Sequence, residues 1–322
     1  MLGDLWCLIY GFAEIVVSIT LLYVSSKRVV EYASKLAHAL NLNKLYIGAV
    51  IVASITALPE LITSIAAVIY GSSSHMALGN VIGSNIYNIP VVIGFCGLLM
   101  KKLEIDGEAL KRESLILLSL SILLMCFLLV LHRLTSWVAS IFLTIYPIYI
   151  YRFMKLADRN ILLANGGCTH RCETIKNLVA TIASGVTLII SAHILVYGVL
   201  TVADALGLNR FYAGVNILSL GCIIPEIAVS ISAAFRNEHN IAFGNIIGDN
   251  IITMTLVIGV VGLVAQPEVA VMDVIFTIPL MSFVAILPLI ISRYGGSIRR
   301  IHGLAIMVFT VVLYIVETIL LA

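Results

Sequence analysis

One sequence pattern occurs twice in this chain, and each copy places a carboxylate inside an apolar stretch. The first copy joins Thr-Ala-Leu-Pro-Glu60 to Gly-Asn-Val-Ile-Gly-Ser-Asn85, and the second joins Cys-Ile-Ile-Pro-Glu226 to Gly-Asn-Ile-Ile-Gly-Asp-Asn250. The two glutamates are 166 positions apart, whereas the two asparagines are 165 apart, which indicates one residue lost in the intervening loop. A chain with this duplication is constrained to fold as two related halves.

The composition places both halves in a membrane. Of the 322 residues, 61% are hydrophobic and only 11% are charged, and the mean hydropathy is +1.11. A soluble protein of this size would need far more charged residues to cover its surface. Because a membrane-spanning helix needs about 20 apolar residues, the sequence predicts ten of them, at 5–24, 42–70, 75–99, 113–131, 135–154, 175–203, 208–235, 240–265, 270–291 and 301–321.

The basic residues indicate the orientation. With ten spans, the segments that follow the odd-numbered spans share one side, and they hold 17 of the 19 Lys and Arg residues. Arg133 and Arg210 lie on the other side. Cytoplasmic segments are enriched in Lys and Arg, so we expect a multi-pass protein of the cell membrane with both termini outside. The 17 are Lys27, Arg28, Lys35, Lys44, Lys101, Lys102, Lys111, Arg112, Arg152, Lys155, Arg159, Arg171, Lys176, Arg236, Arg293, Arg299 and Arg300.

The number of spans also predicts how the halves are related. Five spans per half is an odd number, so the second half must enter the membrane upside down relative to the first. We therefore expect an all-α integral membrane protein with ten transmembrane helices in two inverted five-helix repeats, a common plan among secondary transporters. The first repeat covers residues 1–157 (motif 43–88), the second covers 175–322 (motif 209–253), and 158–174 form a cytoplasmic linker.

Glu60 and Glu226 lie where a lone carboxylate is unfavourable. A charged side chain at the bilayer centre costs several kcal/mol unless it is paired, neutralised or bound to a cation. No Lys or Arg lies within the apolar run around either glutamate. The inverted symmetry would bring the two carboxylates face to face, where they repel each other. A divalent cation, several monovalent cations or a proton would relieve that repulsion.

Each repeat offers further oxygen atoms to a cation. Polar residues recur at helical spacing on the span after each glutamate, which gives one face of an apolar helix a polar stripe. Pro59 and Pro225 lack an N–H and disturb the preceding turn, so we expect freed backbone carbonyls near Ala53 and Ser219, in the stretches that end at Thr56 and Cys222. Ca²⁺ takes 6–8 such oxygen ligands. The two stripes consist of Asn80, Ser84 and Asn88, and of Asn245, Asp249 and Thr253.

These residues resemble the two alpha repeats of the cation/Ca²⁺ exchanger superfamily, in its Na⁺/Ca²⁺ exchanger branch. That family's pattern is Gly-Thr-Ser-Leu-Pro-Glu, then Gly-Asn-x-x-Gly-Ser-Asn-x-x-Asn or Asp. The resemblance covers the whole chain in length, helix number and orientation, and the Pro-Glu step favours the sodium branch. It implies alternating access with spans 1 and 6 as a long tilted pair. It also implies metal ligands at Glu60, Glu226, Thr56, Ser84 and Asn88.

The departures from the family pattern concern ion choice. Ala57 and Ile223 stand where the family has Ser, and Cys222 stands where it has Thr. Asp249 replaces the family's Ser, and Thr253 replaces its later Asn or Asp, so a carboxylate has moved one turn along the same face. Carboxylates remain sufficient for Ca²⁺, but fewer hydroxyls remain for Na⁺. Na⁺, H⁺ and K⁺ therefore stay open as the driving ion, with Na⁺ first and H⁺ second.

Other polar residues are weaker candidates for a role in transport. Glu14 lies near the middle of the first span and either carries protons or packs between helices. His193, in the sixth span, is expected to be a packing residue, and Glu317 is expected to reach the membrane interface. The segment from Cys168 to Cys172 does not have the spacing of a usual zinc site, and we expect a solvated loop there.

The sequence thus predicts a secondary active antiporter that exchanges Ca²⁺ for a monovalent cation. The expected metal ligands are Glu60, Glu226, Asp249, Thr56, Ser84, Asn88, Thr253, Ala53, Ser219 and Cys222. The transported Ca²⁺ and Na⁺ or H⁺ are its partners together with the lipid bilayer; we expect no cofactor, no nucleic acid and a functional monomer. A cation channel or sensor is the alternative from another class. An enzyme is not expected: the buried carboxylates are compatible with an intramembrane protease, but no paired Asp motif or nucleophile matches that class.

Overall fold

The computed structural model describes residues 2–69, 74–100, 102–163, 168–205, 210–269 and 278–321. It describes these residues with their side chains, except at 2–5, 7, 66–67, 74–76, 157–163, 168–171, 199–200, 203–205, 210–222 and 313–321, where the backbone alone is described.

The first half contains seven α-helices and one π-helical segment within the described ranges. The second span is divided into several short pieces, whereas the others are single helices. The elements are α1 (Leu2–Ala39), α2 (Lys44–Ile47), the first π-helical segment (Gly48–Val52), α3 (Ala53–Thr56), α4 (Leu58–Ile69), α5 (Ser74–Leu99), β1 (Lys102–Glu104), α6 (Gly107–Leu131) and α7 (Ser136–Leu163).

The second half is also helical, and here the eighth and ninth spans are divided. Its elements are α8 (Cys168–Ala205), α9 (Arg210–Phe235), α10 (His239–Ile252), the second π-helical segment (Thr253–Val257), α11 (Ile258–Val264), α12 (Ile278–Val284), α13 (Ile286–Arg293), β2 (Ser297–Arg299) and α14 (Arg300–Leu321). Within the described residues, seven helices are long and apolar enough to cross a membrane, and three shorter apolar helices are also present. Each of these ten segments overlaps one of the ten predicted spans.

Local sequence signals explain where several helices begin. The Asp106 side chain accepts hydrogen bonds from the backbone N–H groups of Glu108 and Ala109, both at 3.0 Å, and so caps the start of α6. The Asn43 side chain caps α2 in the same way by accepting from Leu45 N. Such caps satisfy N–H groups that have no partner within the helix. α6 ends at His132, whose φ of 51° is left-handed.

The two longest helices, α1 and α8, have 38 residues each and pack against each other. Glycines permit their close approach: a Cβ on Gly11 would lie 3.0 Å from the Gly198 carbonyl oxygen, and a Cβ on Gly198 would lie 2.9 Å from Glu14 Cβ. Small residues at such contacts are typical of packed membrane helices. Most of the outward side chains of α1 are large and apolar, as expected for a surface that faces lipid.

The second and eighth spans cross at the centre of the molecule. The first π-helical segment and the helices on both sides of it pack against α10. A Cβ on Gly48 would lie 2.5 Å from Ile241 O, and Cβ atoms on Gly244 and Gly248 would overlap the carbonyl oxygens of Leu45 and Ala49. The two backbones are therefore in direct contact. This crossing brings segments from the two copies of the duplicated sequence together.

A short antiparallel pair of strands was not predicted. β1 pairs with β2 in the register Lys102 with Arg299, Leu103 with Ile298 and Glu104 with Ser297. It joins the segment after the third span to the segment before the tenth. Lys102 lies 2.6 Å from the Glu104 carboxylate and lowers the pKa of that exposed group through a hydrogen bond and its charge.

Candidate functional site

Three carboxylates from three different helices meet at the centre of the protein. Glu60 lies in the first turn of α4, Glu226 lies in α9, and Asp249 lies in α10. One oxygen atom from each lies within 4.8 Å of the other two. All three side chains have no exposed surface. The prediction that the two halves bring their glutamates together is therefore met by the geometry, and Asp249 joins them.

Two of the three carboxylates, Glu60 and Asp249, have buried oxygen atoms that lack a hydrogen-bond donor among the described residues. Within the described residues, neither oxygen of Glu60 accepts a hydrogen bond, and the same holds for Asp249 Oδ1. A buried carboxylate oxygen without a donor is costly. Three carboxylates with oxygen atoms within 4.8 Å of one another also repel each other when they are charged. A bound cation would satisfy both demands, because carboxylate oxygens are the preferred ligands of hard cations.

Asn88 orients Asp249 toward the other carboxylates. Its amide nitrogen donates a hydrogen bond of 2.7 Å to Asp249 Oδ2. The remaining oxygen of each side chain, Asn88 Oδ1 and Asp249 Oδ1, is buried and accepts no hydrogen bond within the described residues. Both are thus available as ligands. Asn88 and Asp249 were predicted from the polar stripes, and the structure brings them together across the two halves.

Two asparagines hold the glutamate-bearing helices by equivalent contacts. Asn80 donates to the hydroxyl of Ser64, one turn after Glu60, and its repeat-mate Asn245 donates to the hydroxyl of Ser230, one turn after Glu226. Both distances are 3.5 Å. Ser64 and Ser230 were missed by the sequence analysis. Their shared spacing of four residues from the glutamates, together with the duplication, was the signal that could have found them.

The first predicted threonine uses its hydroxyl in a contact between the halves. Thr56 is fully buried, and its Oγ1 donates to Asn245 Oδ1 at 3.0 Å and lies 3.4 Å from Ala53 O. A hydroxyl oxygen retains acceptor capacity while it donates, so Thr56 can still offer an oxygen to a cation. The role of Asn245 as partner of Thr56 could not be seen in the sequence, because it depends on the crossing of the second and eighth spans.

The remaining stripe residues make hydrogen bonds to backbone carbonyls. Ser84 Oγ donates to Val81 O at 3.0 Å, and Thr253 Oγ1 donates to Asp249 O at 2.9 Å. Thr253 also accepts from the amide of Asn85 at 2.9 Å, and Asn250 donates to Asn85 O at 3.1 Å. The Asn85 and Asn250 contacts join the third and eighth spans, and the sequence analysis did not assign them a role.

The two expected backbone ligands have different outcomes. Ala53 O was expected to be freed by Pro59, but it accepts a hydrogen bond of 2.9 Å from Ala57 N. Ala53 O thus accepts a hydrogen bond, because the last turn of α3 is completed at Ala57, before the proline. A backbone carbonyl has a second lone pair, so a ligand role for Ala53 O stays a prediction. α9 continues through Pro225 without interruption. Ser219 and Cys222 belong to α9, but their side chains lie outside the described residues.

Glu14 and His193, two of the other polar residues considered for transport, do not belong to the carboxylate cluster. Glu14 is half-buried at the close contact with Gly198, and His193 is exposed on α8. His193 was expected to pack between helices. Its exposed side chain does not fit that expectation, because no neighbouring helix of the described chain covers it. The side chain of Glu317 and the Cys168–Arg171 segment lie outside the described side chains, although Cys168 is the first residue of α8 and so begins a helix where a loop was expected.

Comparison with protein families gives a match over most of the chain. The model of the family described as "Sodium/calcium exchanger protein" matches residues 10–155 and 176–320. The two matched segments correspond to the two halves. Among curated proteins, the chain is 29% identical to the sodium/calcium exchanger MaX1 of Methanosarcina acetivorans over 95% of this chain and 98% of MaX1. It is 28% identical to the inner membrane protein YrbG of Escherichia coli over 80% of this chain and 81% of YrbG.

Comparison with solved structures supports the same architecture. The fold matches the structure of the sodium-calcium exchanger NCX_Mj with a TM-score of 0.84. The match covers 95% of this chain and 98% of the other, at 24% sequence identity. The predicted fold class, an all-α membrane protein of ten spans in two inverted repeats, is thereby confirmed.

Proposed function

Because the chain belongs to the sodium/calcium exchanger protein family, we propose that it is a secondary active antiporter. It exchanges Ca²⁺ for a monovalent cation, Na⁺ in the first place, by alternating access. The observation that carries this proposal is the buried cluster of Glu60, Glu226 and Asp249, which lies between the two halves. Membership of a transporter family also agrees with the expectation that the chain is not an enzyme.

The donor set supports Ca²⁺ as the transported divalent ion. Three carboxylates and the free oxygen of Asn88 supply hard, negatively charged ligands at one point. The hydroxyl oxygens of Thr56 and Ser84 are proposed as further ligands. A flexible set of 6–8 oxygens suits Ca²⁺ better than the strict octahedron of Mg²⁺. The carboxylates belong to three different helices, so relative movement of these helices would assemble or open the set. A site with that property suits a carrier, which must release its ion.

Na⁺ is supported as the exchanged ion by the relatives rather than by the ligands. MaX1, which matches along nearly its whole length, is named a sodium/calcium exchanger. In this chain Ala57 and Ile223 stand where the family pattern has serine, and Cys222 stands where it has threonine. Asp249 adds a carboxylate that is able to accept a proton. H⁺ is therefore the second candidate for the exchanged ion, and the experiment below separates it from Na⁺.

The location and assembly follow from the same arrangement. We place the protein in the cell membrane with both termini outside, since Lys and Arg concentrate in the segments on the opposite side. The site is built from both halves of one chain, so a monomer is sufficient to bind the ions. The transported ions satisfy the carboxylates, and no resident cofactor is required.

Transport into proteoliposomes tests the proposal. Purified protein is reconstituted with internal Na⁺, and uptake of radioactive Ca²⁺ is measured after dilution into Na⁺-free medium. We expect uptake that exceeds the protein-free control and that collapses when the Na⁺ gradient is removed. Parallel samples with only a K⁺ or only a pH gradient identify the driving ion. Ca²⁺ currents without any gradient of a second ion, at rates far above carrier turnover, would instead indicate a channel.

A further inference from the structure

An ion pair connects the second and eighth spans at the face of the protein where the basic residues concentrate. Lys44 is the first residue of α2, and Glu238 immediately precedes α10. Lys44 Nζ lies 2.8 Å from both carboxylate oxygens of Glu238. Ser34 of α1 donates a hydrogen bond of 2.9 Å to Glu238 Oε1. One carboxylate thus joins three separate spans.

The environment of this pair distinguishes it from an ordinary surface contact. The side chains of Lys44 and Glu238 are 28% and 18% exposed. By contrast, Lys35 and Glu31 form an ion pair along α1 with exposures of 51% and 40%. Exposed pairs contribute little to stability because water screens them. The Lys44–Glu238 pair is largely covered, and the lysine contacts both carboxylate oxygens. Its electrostatic attraction and its geometry therefore hold the two spans together.

The ion pair lies directly above the closed crossing of the second and eighth spans. Next along α2 and α10 come the backbone contacts of Gly48 with Ile241 and of Gly244 with Leu45. One turn further, Gly248 contacts Ala49, and Asp249 of the carboxylate cluster follows it in sequence. The two backbones thus touch between the ion pair and Asp249. The Lys44–Glu238 pair joins the same two spans at the other end of this contact.

The duplication does not repeat this ion pair. The repeat-mate of Lys44 is Arg210, which keeps the positive charge. Glu238 lies in the loop where the offset between the two copies changes from 166 to 165 residues. Its repeat-mate is therefore Ser72 or Ser73, and neither residue carries a charge. Inverted repeats place mates at opposite faces of the membrane. The sequence therefore keeps a lysine–glutamate pair at these positions in one copy of the duplication and not in the other.

We propose that the Lys44–Glu238 pair is a one-sided latch that biases the alternating-access equilibrium toward the state closed at the basic, cytoplasmic face. The two residues act as positioning residues and do not bind the transported ion. Opening toward the cytoplasm requires the pair and its Ser34 contact to break, whereas the sequence has no lysine–glutamate pair at the repeat-mate positions on the other face. The inference rests on the proposed alternating access.

Hydrogen–deuterium exchange tests the latch independently of transport. The protein in nanodiscs is compared as wild type, Lys44→Gln, Glu238→Gln and the charge-swapped double variant Lys44→Glu/Glu238→Lys. We expect amide exchange in 44–52 and 239–248 to accelerate about tenfold in the single variants, a typical magnitude for coupling between two conformations. The swapped variant is expected to restore slow exchange. Lys35→Gln, which removes the exposed pair on α1, is the matched control.

The outcomes separate the latch from general loss of stability and from failure of the proposed function. Acceleration confined to these two segments, reversed by the charge swap and absent in Lys35→Gln, supports the latch. Unchanged exchange in both single variants, or equal acceleration throughout the chain, overturns it. If the wild type carries no Ca²⁺ in proteoliposomes while the exchange results hold, the proposed function fails and the conformational bias stands. In a protein that does transport, the ratio of apparent Ca²⁺ affinities from the two faces shifts in the single variants.

Discussion

Asp249 and Thr253 occupy successive turns of the eighth span, and they use their oxygen atoms differently. The Thr253 hydroxyl donates to the backbone carbonyl of Asp249 and accepts from Asn85, so it is engaged within and between helices. Asp249 Oδ2 accepts from Asn88, whereas Oδ1 is buried and without a hydrogen bond in the described part of the chain. The carboxylate at 249 is therefore the group of this helix that we propose as a cation ligand.

Replacement of Asp249 by Asn is expected to weaken Ca²⁺ binding at least about tenfold, because it removes one of three charges and a free ligand oxygen. Isothermal titration calorimetry between pH 6 and pH 9 measures the effect and its pH dependence. Thr255→Val is the control, since the Thr255 hydroxyl is buried on the same span but donates to the carbonyl of Ile251. Binding curves of Asp249→Asn that superimpose on the wild type across this pH range would make Asp249 a packing residue.

Glu60→Gln and Glu226→Gln are each expected to abolish Ca²⁺ exchange without unfolding the protein. Each change keeps the size of the side chain and removes a charge from the only cluster of buried carboxylates found among the described residues. Proteoliposome uptake gives the activity, and size-exclusion chromatography with thermal unfolding gives the folded fraction. Glu31→Gln changes an exposed glutamate of α1 and is expected to leave uptake intact. Near-normal exchange by either buried variant contradicts the assignment.

The residues that differ from the family pattern are expected to set the preference for the driving ion. Restoring the family's hydroxyls with Ala57→Ser, Cys222→Thr and Ile223→Ser together would add hard oxygens for Na⁺. We expect a steeper dependence of Ca²⁺ exchange on Na⁺ concentration, measured as the Hill slope of Na⁺-driven efflux. A wild type that is already steeply sigmoidal, with a triple variant that matches it, would show that these hydroxyls do not decide ion choice.

At the scale of elements, the crossing of the second and eighth spans depends on glycine. A Cβ on Gly244 would overlap the carbonyl oxygen of Leu45, while its repeat-mate Gly79 has no atom within 4 Å of the equivalent position among the described residues. Gly244→Ala is expected to lower the unfolding free energy by about 1–3 kcal/mol through overpacking. Gly79→Ala should be neutral or slightly stabilising, because alanine favours helix. Thermal unfolding in detergent compares the two, and equal shifts would contradict the tight crossing.

Much of the element layout could be predicted from the sequence, and the exceptions have physical causes. Apolar length located all ten spans, but it ended the first at residue 24, whereas α1 continues to Ala39. Hydropathy identifies only the part of a helix that lies in the hydrocarbon core. The part of α1 that contains Lys27 and Lys35 continues the same helix beyond that core. The π-helical segments and the β1–β2 pair have no periodic signal of their own, since they depend on tertiary packing.

The residues of the candidate site that could be predicted are those that the duplicated pattern contains. Glu60, Glu226 and Asp249 were identified because a charge in an apolar run demands an explanation, and the structure brings all three together. The partners that hold them, such as Asn245 beside Thr56, depend on which spans cross. A single sequence contains the types of the residues but not the pairing of its helices. The fate of Ala53 O depended on where the chain turned, which proline alone does not determine.

At the scale of the whole molecule, the charge distribution predicts the topology. Cysteine tags placed at the two termini are expected to react with a membrane-impermeant thiol reagent added to intact cells, because both ends are predicted to lie outside. The same tag in the loop at Asn237, between α9 and α10, should react only after the membrane is made permeable. Protection of either terminus in intact cells would reverse the assigned orientation.

The length of the α1–α8 pair makes the thickness of the surrounding bilayer a variable of transport. A helix of 38 residues is about 57 Å long, whereas the hydrocarbon core of a bilayer is about 30 Å thick. Both helices must therefore tilt or extend well beyond the acyl chains, and their tilt adjusts to the lipid. A thicker bilayer would decrease the tilt of the two helices, and a thinner bilayer would increase it. Lipid chain length, as well as ion gradients, is thus expected to tune how readily this protein changes conformation.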